Sequence, residues 1–169
     1  MGNDTHIRQR AADTLEQLCE VYRVYLEENQ EQQPSPNILS RLFGGWFASS
    51  DPQKMEPVHR EFLQAVENIA GRLAGLLEQL KRDHTDLCQA YAQRAISIML
   101  VPKTEKEKSA AEWYMAAAEY QSAMLLPYLS RFELRRVRDG MLKRTPKRLM
   151  YPKEKELLEQ IEFHLESYR

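Results

Sequence analysis

The chain reads as all-α: a kinked multi-helix bundle of about five to six helices forming a single domain over residues 1–169. Three observations predict this class. Apolar residues recur at steps of three and four along most of the sequence, and no segment holds the alternating apolar and polar rhythm of a half-buried strand. The prolines Pro34, Pro36, Pro52, Pro102, Pro146 and Pro152 fall between the periodic runs, where helices begin and end. With 43% hydrophobic and 29% charged residues over 169 positions, the chain has the apolar material for one real core.

Asp4 or Thr5 can cap a first helix running to about Gln32, with Ile7, Ala11, Leu15, Leu18, Tyr22 and Tyr25 or Leu26 on its buried side. Its other face is acidic, because Asp13, Glu16, Glu20, Glu27, Glu28 and Glu31 outnumber Arg8, Arg10 and Arg23. Residues 34–51 read as a linker holding a short aromatic-rich helix. Its glycines, Gly44 and Gly45, argue against a continuous helix, each costing about 1 kcal/mol relative to alanine in a helix interior. Leu42, Phe43, Trp46 and Phe47 are expected either to plug the bundle or to form an exposed docking patch.

Asp51-Pro52 is a helix-start signal: the carboxylate accepts free first-turn N–H groups, and proline suits a position whose N–H is unused. The stripe Met55, Val58, Phe62, Ala65, Val66, Ile69, Leu73, Leu76, Leu77 and Leu80 continues in phase through Leu87, Tyr91, Ala95 and Ile98. Unbroken to Leu100, this rod would be about 70 Å long, against roughly 40 Å for a compact chain of this size. A break is therefore expected around Asp83 to Asp86, with Asp83 or Thr85 capping the next helix. Gly71 and Gly75, beside Ala70 and Ala74, are expected to let another helix approach closely.

Thr104 and Glu107 form a capping box for a helix carrying Trp113, Ala117, Tyr120, Met124 and Leu125. Pro127 is expected to kink it, after which Tyr128, Leu129, Phe132 and Val137 continue the buried side to about Asp139, with Gly140 as a C-terminal cap. Residues 140–151 read as a basic loop. Pro152 starts a last helix bearing Leu157, Leu158, Ile161 and Leu165.

Several function classes lose ground on composition and spacing. The N-terminus lacks the apolar run of a secretory signal, and nothing approaches the roughly 20 apolar residues of a membrane span, so a cytoplasmic location is expected. Cys19 and Cys88 read as core thiols, without a metal-ligand pairing. Glu56 and His59 have the Glu-x-x-His spacing of carboxylate metal sites, but no second copy exists, and a solvated helix start is the expected setting. No metal, no cofactor and no catalytic residue is assigned; a motif-free helical enzyme stays open, with a non-enzymatic role favoured.

The informative feature is charge. Arg131, Arg135, Arg136, Arg138, Lys143, Arg144, Lys147 and Arg148 crowd a short segment of a chain whose formal net charge is −1. Arg131, Arg135 and Arg138 share one helical face. The plain reading of such a cluster is a solvated basic face with local ion pairs; it also suits an acidic protein surface, including the glutamate-rich first helix of this chain or of a second copy. The expected function is a helical interaction protein (adaptor, chaperone-like or assembly subunit) whose partner is another protein or a second copy. The alternative is a nucleic-acid-associated accessory protein that uses the same segment to neutralise phosphates.

Overall fold

A computed structural model describes the backbone of residues 2–32, 44–100 and 110–167, and the side chains of 4–27, 57–100 and 113–167. Among the described residues the elements are α1 (Gly2–Gln32), α2 (Gly44–Leu80), α3 (Thr85–Met99), α4 (Ala110–Glu119), α5 (Arg131–Arg144) and α6 (Pro152–Ser167). Two 3-10 segments, Tyr120–Tyr128 and Lys147–Leu149, join the later helices, and no strand is present among the described residues. The all-α bundle expected from periodicity is the fold.

Helices α1 and α2 form the largest helix pair. They run antiparallel, since Tyr25 meets His59, Tyr22 meets Phe62, and Gln17 meets Arg72 in turn along the two rods. Their apolar stripes make the pairing: Ile7, Ala11, Leu15, Leu18, Tyr22 and Tyr25 from α1 are buried against Phe62, Val66, Ile69, Leu73, Leu76, Leu77 and Leu80 from α2. Fully burying each large side chain in such a seam contributes roughly 1.5–3 kcal/mol. One hydrophobic cluster then extends through α3, α4, the first 3-10 segment, α5 and α6.

The break between α2 and α3 falls where rod length demands it, with a turn at residues 81–83. His84 is the N-cap and makes no side-chain cap, so neither Asp83 nor Thr85 plays that part. His84 instead reaches Asp4 at 3.2 Å, tying the hinge to the start of α1. The turn also resets the helical phase. Cys88, Ala92, Ala95, Ile96 and Met99 are buried, whereas Leu87, Tyr91 and Ile98 are half-buried.

Other expectations are corrected. Helix α2 starts at Gly44, so Asp51-Pro52 lies inside it: proline's fixed φ matches helical backbone, and the element absorbs a missing N–H rather than starting there. Gly71 and Gly75 are exposed, and among the described residues a Cβ on either would meet nothing within 4 Å, so no described helix approaches there. Helix α4 tightens into the 3-10 segment before Pro127 is reached, which changes the period and buries Ser122, Leu125 and Leu126. Trp113 (47% exposed) and Phe132 (69% exposed), on the helices before and after it, face solvent. Gly140 has no positive φ and sits within α5, so the basic loop begins only at Thr145. Cys88 is buried, with burial pushing its thiol pKa up, but Cys19 is exposed. The expected Thr104–Glu107 capping box and residues 33–43 lie outside the described residues.

Candidate functional site

The basic segment is carried by α5, and the residues just before it explain why a helix starts there. After the extended Leu129, Ser130 Oγ accepts a hydrogen bond from the Glu133 N–H at 3.2 Å, while the Glu133 carboxylate accepts from the Ser130 N–H at 3.4 Å. This reciprocal capping box, Ser130-x-x-Glu133, was readable in the sequence. An apolar pattern that runs on through Pro127 hides it. Leu134 and Met141 hold α5 to the core, and Lys143 and Arg144 stand at its C-terminal end, where the helix dipole favours cations.

The eight basic residues do not form one patch. Arg131, Arg135 and Arg138, which share a face as the spacing predicts, turn toward α6 and line a groove of about 210 Å³ whose other wall is Glu162, Leu165 and Glu166. On the opposite flank, Arg136 and Arg144 border a second groove, of about 290 Å³, shared with Gln93, Ile96, Ser97 and Leu100 of α3 and its end. Arg144 is tied down there, donating from Nη1 to the Leu100 carbonyl at 2.8 Å and from Nε to the Gly140 carbonyl at 3.2 Å.

Between the two flanks runs a solvent-facing ridge. Phe132 is the most exposed large apolar residue among those described, and the Arg136 guanidinium stands 5.9 Å from its ring centroid. Asp139 and Lys143 continue the ridge, Leu142 lies on the side of Arg135 and Arg138, and Lys147, Arg148 and Leu149 follow on the 3-10 turn; of these all but the half-buried Arg138 are exposed. Arg138 is the half-buried member of the set and pairs with Asp139 at 3.1 Å.

The second expected binding group, Leu42, Phe43, Trp46 and Phe47, lies outside the residues whose side chains are described. The Glu56 side chain does too, but His59 is not at a solvated helix start. It is buried, its Nδ1 shares a 2.5 Å hydrogen bond with the Tyr25 hydroxyl, and its ring stacks on Tyr114 at 4.8 Å. Tyr25 stacks in turn on Phe62, with Tyr22 edge-on to the same ring. Burial lowers the His59 pKa and raises that of Tyr22, whose hydroxyl has no hydrogen-bond partner among the described residues. This aromatic cluster was missed, although Tyr22, Tyr25 and Phe62 were each placed on buried stripes. His59 lies one residue beyond Val58 on the same side of α2. No group of three His, Cys, Asp or Glu side chains that could hold a metal occurs among the described residues, and no helix there is long and apolar enough to cross a membrane.

Comparison with known proteins supplies no relative: no protein-family model, no curated protein and no solved structure matches the chain.

Proposed function

We propose that this is a non-enzymatic helical interaction protein, of the adaptor or assembly-subunit kind, that binds an acidic protein surface through the outer ridge of α5 and the turn after it. One observation carries the reading: Phe132, 69% exposed with the Arg136 guanidinium 5.9 Å from its ring centroid, stands on the outer side of a segment that goes on to Lys143, Lys147 and Arg148, with Asp139 as its exposed carboxylate. Aromatic and arginine side chains are the residues that anchor protein interfaces, and complementary charge steers the encounter. Phe132 favours a protein over a nucleic acid, since an exposed aromatic anchor is what a protein interface buries, and a chain of net charge −1 lacks the overall basic balance of a nucleic-acid binder.

The test places a photo-crosslinking residue at position 132 of the full chain, identifies the captured protein, and reconstitutes the pair from purified components. The expected result is an acidic partner surface whose affinity falls with salt and is lost in an Arg136→Glu, Lys143→Glu double variant, with Phe132→Ala weakening it further. Capture of a second copy, with an oligomeric state that dissociates in the same variant, supports the self-association form of this reading. Salt-sensitive binding of a generic oligonucleotide that the double variant abolishes, without any protein captured, overturns it in favour of the nucleic-acid role.

A further inference from the structure

The groove between α5 and α6 has two walls of opposite charge that do not close on one another. Arg131, Arg135 and Arg138 stand on the α5 side, Glu162 and Glu166 on the α6 side, with Leu165 between them. Among the described residues no ion pair crosses this gap; the contact Arg138 makes is to its own neighbour, Asp139. Five charges facing each other across about 210 Å³ attract, yet the walls are set apart by the packing beneath, where Leu134 and Met141 of α5 meet the core alongside Leu157, Leu158 and Ile161 of α6.

From this arrangement the geometry points to a binding site for a small zwitterion, a phosphate monoester that also bears a protonated amine, with the phosphate on the α5 arginines and the ammonium on the α6 carboxylates. Each part of the assignment has its own reason. A plain anion is drawn to one wall and repelled by the other, and a plain cation likewise, so a ligand with both signs is the one that satisfies both walls. Guanidinium groups bind oxyanions through paired parallel hydrogen bonds. Three of them match a doubly charged monoester better than a carboxylate or the singly charged diester of a lipid headgroup. Arg131, moreover, stands in the first turn of α5, where the helix dipole disfavours a cation; an anion held there relieves that conflict. This site is separate from the outer ridge of α5 and does not depend on what that ridge binds.

The experiment is calorimetric titration of the full chain with O-phosphoethanolamine, inorganic phosphate and ethanolamine at low ionic strength. The expected order places phosphoethanolamine about tenfold or more tighter than either half, a difference of one decade in Kd. Arg131→Gln with Arg135→Gln abolishes binding, whereas Arg136→Gln, on the other flank, leaves it in place. Glu162→Gln with Glu166→Gln removes the preference for the zwitterion while inorganic phosphate binds as well as before or better. Arg131, Arg135, Arg136 and Glu166 are exposed and Glu162 is half-buried, so the variants are expected to fold, and an unchanged far-ultraviolet spectrum checks that. As a second readout, the backbone amides of residues 131–138 and 162–166 shift together on titration of the unaltered protein. Equal affinity for phosphate and phosphoethanolamine, or binding that survives the double arginine variant, overturns the proposal. So does co-flotation with phosphatidylethanolamine vesicles that is lost in the arginine variant, which would move the site to a lipid surface.

Discussion

Lowering pH through the histidine range should destabilise this protein, and His59 is the first residue responsible. In the folded chain its imidazole is buried between Tyr114 and the Tyr25 hydroxyl, an environment that favours the neutral ring and lowers its pKa. The unfolded chain returns it to an ordinary value near 6.5. Below that pH the unfolded state binds a proton that the folded state does not, so stability is full above about 6.5 and is lost as pH falls through that value toward the folded pKa. The limiting slope is about 1.4 kcal/mol per pH unit, an upper bound reached only while folded His59 holds no proton. His164 is shifted the same way by partial burial and adds to the slope. Urea unfolding measured at intervals from about pH 7.5 to 5.5, above the range where carboxylates dominate, checks this. His59→Gln keeps a hydrogen-bonding partner for Tyr25 but does not titrate, and should flatten the curve; adding His164→Gln should flatten it further. Parallel curves for the unaltered protein and His59→Gln would sink the argument.

Three further outcomes follow from the helices themselves. Gly71→Ala and Gly75→Ala should each stabilise the chain by about 1 kcal/mol, because both sites are exposed mid-helix and a Cβ meets nothing. Thermal unfolding should show this as a rise of about 2–4 °C per substitution for a chain of this size; a fall would mean a neighbouring helix packs there after all. Ser130→Ala should cost about 1 kcal/mol by removing the cap, with the loss of hydrogen-exchange protection concentrated in the first turn of α5. Tyr128→Phe should cost about 0.5–1.5 kcal/mol in urea unfolding, since it removes the hydroxyl that donates to the Glu78 carboxylate at 2.6 Å and lies 3.2 Å from the Ala74 carbonyl.

Where a long amphipathic stripe met a long partner, the fold was legible from residues alone. Ile7 to Tyr25 on α1, Phe62 to Leu80 on α2 and Leu157 to Leu165 on α6 are buried as their spacing requires. What periodicity could not carry was phase across an interruption. Four non-helical residues after Leu80 rotate α3, so Cys88 and Ala92 face inward where Leu87 and Tyr91 had the better hydrophobic credentials. Residue type also misled where a large apolar side chain faces water: Phe132 and Trp113 read as core because hydrophobicity reports what a side chain would gain by burial, not whether a neighbour is there to bury it. For the site, the shared face of Arg131, Arg135 and Arg138 was visible at helical spacing. The facing Glu162 and Glu166 were not, since they belong to another helix and only packing sets them opposite.

That division of α5 also separates what the fold needs from what it does not. The helix carries six basic and two acidic residues among its 14, and its buried residues are Leu134 and Met141. Two such anchors contribute roughly 1.5–3 kcal/mol each, whereas ordering a residue's backbone costs roughly 1–2 kcal/mol, so α5 cannot be held by its own apolar face. Its cap, the Arg144 bonds to Leu100 and Gly140, and half-buried Val137 share the task. None of these supports requires Arg131, Arg135 or Arg136. Three cations that the helix can lose without losing its anchors are a standing electrostatic cost, because mutual repulsion on one short rod opposes folding. A bound group of opposite charge is what would turn that cost into affinity, and the two directions in which these side chains point, into the α6 groove and out along the ridge, are where such a group would be found.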